Sequence, residues 1–244
     1  MSRDIAEARK KGFFITLEGG EGAGKTTQIK HIGMILEEWG VKTRITREPG
    51  GTDIGAKIRS ILLNPENKAL LPTAELLLYM ADRAQHLGEK VLPLLDQGVT
   101  VISDRYFEST MVYQGYARGL DKTLIYDLHA AMVRGVLQNR MPEKCAISDT
   151  PLFFEPDLTF VLDLDPETGL SRTFRDVADG SRKTDETRFE REALAFHETI
   201  RKGYLDLARK NPARFRVIDA SQDKTAVMKE IVSHLNALIS GKTG

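Results

Sequence analysis

The order of apolar and amphipathic segments predicts a doubly wound α/β sheet, parallel and covered by helices on both faces. Three observations carry this reading. Five short apolar runs, rich in β-branched and aromatic residues, have the composition of strands buried on both sides. Longer stretches with helical periodicity separate them, and such alternation builds parallel sheets. A glycine-rich turn joins the first strand to the first helix, where a tight change of direction needs residues without a Cβ.

The elements follow in order. Phe13 to Glu18 is the first strand and Lys25 to Trp39 the first helix. Val41 to Thr46 is the second strand, followed by a helix from Asp53 to Leu62. Thr73 to Leu95 reads as one long helix whose buried stripe is Leu76, Leu77, Met80, Ala84 and Leu87. After the strand Val99 to Ser103 come helices over Glu108 to Arg118 and Thr123 to Gln138. Leu158 to Leu164 is the fourth strand. Asp165-Pro166 then starts a helix to Asp176, since Asp caps free N–H groups and Pro suits the first helical position. Glu186 to Lys210 is helical, Phe215 to Asp219 is the fifth strand, and Lys224 to Ile239 is the closing helix. Ligands of such sheets bind beyond the carboxyl ends of the strands, so the residues just after each strand are the functional candidates.

Composition narrows the function classes. Lys plus Arg and Asp plus Glu are equal at 35 each, so no overall basic field draws nucleic acid or an anionic membrane. The single cysteine, Cys145, rules out an intrachain disulfide and a cysteine-rich metal site. No apolar run has membrane-spanning length. Residues 1–11 are charged and helix-prone without an apolar centre, and read as an extension rather than a signal peptide. A single domain over 12–244 and a reducing cytoplasm are the expectations.

Gly19-Gly20-Glu21-Gly22-Ala23-Gly24-Lys25-Thr26 fits G-x-x-x-x-G-K-[ST] in the required strand-to-helix context. Its glycines let successive N–H groups converge on phosphate oxygens, at the positive end of the following helix. Lys25 can reach the β- and γ-phosphates and the Thr26 hydroxyl can take Mg²⁺, with Thr27 next in line. This cradle implies a nucleoside triphosphate; it does not choose between kinase, GTPase and motor.

The other strand ends are less specific alone. Arg47 and Glu48 precede the turn Pro49-Gly50-Gly51; a solvated turn is the plainer alternative. Asp104-Arg105-Tyr106 offers a carboxylate for a metal-bound water and a planar cation for phosphate; a surface ion pair weighs equally. Tyr79 and Arg83 lie at i and i+4 and can stack a base and bond its edge, as could a core-edge tyrosine beside a solvated arginine. Thr110, Tyr113 and Gln114 share one helical face. Residues 172–191 are rich in cations around Asp179-Gly180-Ser181, and read either as a mobile lid, about 175–187, or as a solvated face.

Together these segments resemble the bacterial type of thymidylate kinase. The matching pieces are Leu17-Glu18-Gly19 through Lys25-Thr26-Thr27, Thr46-Arg47-Glu48-Pro49-Gly50-Gly51-Thr52, Asp104-Arg105-Tyr106, Tyr113-Gln114-Gly115-Tyr116-Ala117-Arg118-Gly119, Pro156 to Leu164 and Val217-Ile218-Asp219-Ala220. The resemblance implies a P-loop nucleoside-monophosphate-kinase fold with a five-stranded parallel sheet, a mobile lid and a homodimer. It implies transfer of the γ-phosphate of ATP to dTMP, with Mg²⁺, as a step toward dTTP. Arg59 and Arg105 would bind the acceptor phosphate with Arg47 and Glu48 close by. Tyr79 would stack on thymine, and Arg83, Thr110 and Gln114 would reach its edge beside Ser109. Tyr113 would crowd a 2′-hydroxyl, Glu21 would sit near the 3′-hydroxyl and the metal, and Ala220 and Ser221 would line the adenine site. Thr26 and Asp104 would hold the metal. The P-loop offers no arginine at Gly22, so a lid cation is expected at the transferring phosphoryl group: Arg175, Arg182, Lys183 or Arg188, with Arg182 favoured beside Gly180-Ser181. The stretch from Arg140 to Glu155 is longer than such proteins need and reads as an elaborated loop.

The acceptor phosphate has a second pKa of about 6 and is a dianion at neutral pH. No protein base is then required, and positioning and electrostatics should carry the rate. A kinase for another nucleotide, a P-loop switch and a binding module without chemistry are the competing readings. The Tyr-Gln-Gly segment, the lack of a guanine-reading Asn-Lys-x-Asp and the intact Lys25, Thr26, Asp104 and Arg105 argue against each in turn.

Overall fold

The computed structural model describes residues 12–140, 154–180 and 184–241. Strands β1 (Phe14–Gly19), β2 (Thr43–Arg47), β3 (Thr100–Asp104), β4 (Leu158–Asp163) and β5 (Phe215–Asp219) form one parallel sheet in the order β2-β3-β1-β4-β5. All four pairings are parallel. Side chains alternate across the pleat, so Phe14 of β1 enters one core while Ile15 and Leu17 enter the other.

Helices α1 (Lys25–Glu38) and α9 (Lys224–Ile239) cover the face holding Ile15 and Leu17. The opposite face carries α3 (Pro72–His86), α4 (Leu92–Asp96), α5 (Phe107–Thr110), α6 (Lys122–Arg140) and α8 (Leu194–Lys210). Helix α2 (Asp53–Leu63) follows β2 and packs on α3, and α7 (Pro166–Ala178) follows β4. Three caps fix helix starts, the second as expected: Thr52 Oγ1 accepts from Gly55 N at 2.9 Å, Asp165 Oδ2 from Thr168 N at 3.0 Å, and Asp223 Oδ1 from Thr225 N at 2.9 Å.

Three expectations need correction. The stretch read as one helix from Thr73 to Leu95 is α3 and α4 joined by a π-helical turn, Leu87–Val91. Pro93 lacks an N–H and crowds the carbonyl four residues earlier, and the wider turn accommodates it. Within α3, Leu77 is half exposed and stands outside the buried stripe. The last long helix starts at Leu194, not near Glu186. Residues before it form a short 3₁₀ turn, Thr184–Glu186, and then bury Phe189 against Tyr113 in an edge-on contact at 5.3 Å, so aromatic packing overrides local helix preference. The 1–11 extension and most of the 140–155 loop, including Cys145, lie outside the described residues. So do Arg182 and Lys183.

Candidate active site

A cavity of about 1330 Å³ opens at the carboxyl ends of the strands, lined by the glycine-rich loop, β2, β3, α3, α7 and the start of α9. The loop wraps as its glycines require: Gly22 and Gly24 have φ of +65° and +89°. A Cβ on Gly22 would meet Gly169 O at 2.0 Å, and one on Gly169 would meet Glu21 O at 2.2 Å. The loop and the first turn of α7 therefore touch backbone to backbone, which ties the glycine-rich loop to the start of that helix.

Lys25 folds over this loop. Its Nζ donates to Gly20 O at 2.8 Å and Gly19 O at 3.0 Å. Burial, then the nearby Arg105 charge, lower its pKa to about 8, against Glu21, Asp104 and Glu18, which raise it. Thr26 and Thr27 stand at the mouth, and Ala23 is buried beneath them. Thr26 and Asp104 both line the cavity, and Asp104 Oδ1 is buried with no partner among the described residues. A hydroxyl and an unsatisfied carboxylate oxygen beside a phosphate cradle suit a hard divalent cation that keeps water and phosphate ligands.

Asp104 ends β3 in register with Arg47 of β2. Arg105 follows with φ of +72°, uncommon for a residue with a side chain. Its guanidinium makes five hydrogen bonds. Nη1 donates to Gly19 O (3.1 Å), Ser109 Oγ (3.1 Å) and Tyr204 OH (2.9 Å), and Nη2 to Glu21 Oε1 (2.9 Å) and Tyr113 OH (3.0 Å). Tyr113 OH in turn donates to Glu21 Oε1 at 2.7 Å. One cation thus joins the phosphate loop, the Tyr113 helix and α8.

Arg83 is more deeply buried than Arg105, and by other partners. Nε donates to Glu48 Oε2 at 2.7 Å, and Nη2 to Thr110 Oγ1 at 2.9 Å and Tyr106 O at 3.0 Å. His86 Nδ1 meets Glu48 Oε1 at 2.8 Å. Burial pushes the Glu48 carboxyl up, but Arg83 and His86 outweigh it and hold the carboxyl below its usual range. Gln114 Nε2 donates to Glu75 Oε1 at 2.7 Å, leaving its buried Oε1 without a partner among the described residues. Tyr79, Arg83, Ser109, Tyr113 and Gln114 line the cavity together, while Thr110 stands behind Arg83.

The remaining sequence-derived candidates are spread around this frame. Arg47 is exposed at the rim. Arg59 donates through Nη2 to Glu186 Oε2 at 2.7 Å and through Nη1 to Pro49 O at 3.0 Å. Arg188 pairs with Glu75, at the Gln114 end of the cavity. Arg175 is exposed on α7 and lines the opposite wall with Arg172. Ser221 is exposed and donates from Oγ to Asp219 Oδ1 at 2.6 Å, outside the cavity lining, while its neighbours Ala220 and Gln222 line the cavity.

Sequence reasoning missed Glu18, Tyr204, Glu75 and Glu190. Glu18 is fully buried and accepts from Tyr106 N at 2.7 Å, Ser109 Oγ at 2.6 Å and Tyr204 OH at 2.9 Å. Burial and the Glu108 charge push its pKa up to about 7, opposed by Arg105 and these hydrogen bonds. An ionisable residue ending an apolar strand was the available signal. Nothing in local spacing marks Tyr204, which reaches the site from α8, 99 residues away from Arg105.

Comparison with known proteins agrees with this geometry. The thymidylate kinase family model matches residues 17–231. A thymidylate kinase of Desulforapulum autotrophicum is 49% identical over 223 residues, covering 91% of this chain and 90% of that protein. One of Carboxydothermus hydrogenoformans is 47% identical over 228 residues, covering 93% and 98%. The crystal structure of thymidylate kinase from Ehrlichia chaffeensis superposes with a TM-score of 0.66 at 30% identity, covering 92% of this chain and 99% of that one. A glycine-rich strand-to-helix loop, a cavity that this loop shares with Tyr79 and Arg83, and likeness along nearly the whole length converge on one conclusion: the chain belongs to the thymidylate kinase family.

Proposed function

We propose that, in transferring the γ-phosphate of ATP to dTMP as members of its family do, the chain divides its cavity at Arg105 into a donor and an acceptor half. The observation that carries this is the placement of the Arg105 guanidinium, bonded at once to the loop carbonyl of Gly19 and to Tyr113 and Glu21. A cation there faces both phosphates that must meet. ATP lies along Glu21 to Thr27, with Lys25 released from its two loop carbonyls to the β- and γ-oxygens. The adenine end is bordered by Ala220 and Gln222, next to Ser221. The acceptor phosphate sits between Arg59 and Arg105, near Arg47, and thymine lies between Tyr79 and the Arg83–Gln114 edge. The orphaned Gln114 Oε1 offers an acceptor for the imide N–H of that base. Tyr113 lies against the sugar, where a 2′-hydroxyl would crowd it.

Thr26 and Asp104 would hold Mg²⁺, which when bound neutralises part of the triphosphate charge. The acceptor is already a nucleophilic dianion, so the residues act by holding two anions in line and screening them. A cytoplasmic homodimer is part of the reading. Its support is the run of exposed apolar residues on neighbouring α2 and α3: Ile54, Ile61, Leu71 and Leu77. Among the described residues no helix is long and apolar enough to cross a membrane.

Coupled measurement of ADP release with dTMP, dUMP, dCMP, dGMP and AMP as acceptors tests the proposal. Turnover should be fastest with dTMP and require Mg²⁺. Equal use of dCMP or AMP would overturn the acceptor assignment.

A further inference from the structure

The Arg105 side chain is held along two edges that differ in what a substrate would do to them. The Nη2 edge rests on Glu21 and Tyr113, groups that face the cavity. An arriving phosphate must share or replace those bonds. The Nη1 edge rests on Gly19 O, Ser109 Oγ and Tyr204 OH, against the sheet and α8. Hydroxyl oxygens serve a guanidinium only when their lone pairs, not their protons, face it. Each of these hydroxyls has a single proton, and the two oxygens lie 2.8 Å apart. Something must draw both protons away from Arg105.

We infer that Glu18 is a positioning residue for Arg105: its buried carboxylate takes the protons of Ser109 and Tyr204 and so turns both oxygens toward the guanidinium. Oε2 lies 2.6 Å from Ser109 Oγ and 2.9 Å from Tyr204 OH, and Oε1 takes the Tyr106 N–H at 2.7 Å. All three partners are donors, so the seat needs acceptor capacity on both oxygens. An amide cannot fill it. With its nitrogen at the Oε2 position it donates to the hydroxyls and turns their protons toward Arg105. With its nitrogen at the Oε1 position it opposes the Tyr106 N–H. Glu18 thereby keeps the Nη1 edge fixed while the Nη2 edge exchanges Glu21 and Tyr113 for phosphate. When ionised, the carboxylate also offsets the charge of an arginine that burial would otherwise penalise.

The inference rests on the reading of Arg105 as the acceptor-phosphate ligand, and the experiment separates the two. Tyr204→Phe deletes one hydroxyl and keeps the ring; Glu18→Gln keeps the shape and removes the second acceptor oxygen. Kinetics with dTMP and ATP varied separately, calorimetric dTMP binding and thermal melts would be recorded for both, for the double variant, and for Arg105→Ala. KM and Kd for dTMP should rise by roughly tenfold in each single variant, the scale of a hydrogen bond to a charged group. KM for ATP should stay within about twofold of the parent. The double variant should be no worse than Glu18→Gln, because the groups act as one unit. Unchanged dTMP binding in both single variants, with binding lost in Arg105→Ala, overturns the role of Glu18 alone. Unchanged binding in Arg105→Ala overturns the reading beneath it. Should Glu18→Gln fail to fold, Tyr204→Phe still decides: a variant that melts normally and binds dTMP normally refutes the inference.

Discussion

The two ends of the cavity hold their cations in opposite ways. At the acceptor end Arg83 is buried and Arg105 largely so, each hydrogen-bonded to carboxylates, hydroxyls and main-chain carbonyls before any ligand arrives. At the donor end Arg175 is exposed and contacts the Ser171 carbonyl of its own helix at 3.4 Å. The difference follows from what each end must do. Choosing one base needs polar groups fixed in advance, because a wrong ligand then leaves them unpaired. Screening a phosphoryl group in flight needs charge that concentrates only in the transition state. A cation on a closing segment supplies that charge without holding the ground state.

The largest expected effect tests the donor end. Arg182, outside the described residues, follows the C-terminus of α7, whose start is fixed to the phosphate loop by the Gly22–Gly169 contact. Arg182→Ala should lower kcat by about a thousandfold, within the range for such arginines, while dTMP affinity changes little. Alanine variants at Arg175, Arg182 and Lys183, assayed for turnover and dTMP binding, would check this. A loss below roughly tenfold at every position would remove the contrast between the two ends.

A paired substitution sharpens it. Lys25→Ala should cost roughly a hundredfold or more in kcat with little change in Tm, since the side chain contributes charge to a loop. Arg83→Ala should instead destabilise the fold by about 3–5 kcal/mol, because it strands Glu48 in a buried site. Chemical denaturation and turnover, run on both variants, would distinguish a charge used for chemistry from one that also holds structure.

How much of this was legible beforehand follows the same division. The five strands, the phosphate loop and Arg105 were readable because each is a local pattern: an apolar run, a glycine spacing, a charged triplet after a strand. The roles of Arg83 and Glu48 were visible only as separate residues; their ion pair joins positions 35 apart through a turn and a helix. Glu18 and Tyr204 were invisible as partners because their contact spans 186 residues and depends on the sheet order. The segment before α8 misled because its periodicity suits a helix, whereas burying Phe189 on Tyr113 bends it toward the cavity.

Arg59 marks the boundary between the two regimes. Both Nε and Nη2 donate to Glu186 Oε2, on the Thr184–Glu186 turn. That carboxylate stands where an acceptor phosphate would compete for the same guanidinium. A partly exposed ion pair contributes at most about 1 kcal/mol, so Glu186→Gln should lower KM for dTMP by about two- to fivefold. An increase in KM would instead show that Glu186 helps to close the site, and would move Arg59 to the mobile side of the comparison.

A pH-dependent effect probes the fixed half through Asp82, beneath the Pro49-Gly50 turn. Its Oδ1 accepts from Gly50 N at 2.9 Å, while Oδ2 is buried without a partner among the described residues. Burial, and then the Glu48 charge, raise its pKa from 3.8 to about 6. A carboxyl whose folded pKa lies above its unfolded value binds its proton more tightly in the native state. Its stabilising contribution is complete below about pH 4 and is lost as pH rises through about 6. Asp82→Asn keeps the acceptor for Gly50 and abolishes the titration, although its amide nitrogen takes over the unpartnered seat. The variant should therefore gain on the parent as pH rises from 5 to 8, by about 1–2 kcal/mol or a few degrees in Tm. Thermal melts at the two pH values decide the point. If the difference in Tm between variant and parent is the same at both, Asp82 is ionised in the fold without penalty, and the acceptor wall is less tightly constrained by charge than its hydrogen bonds imply.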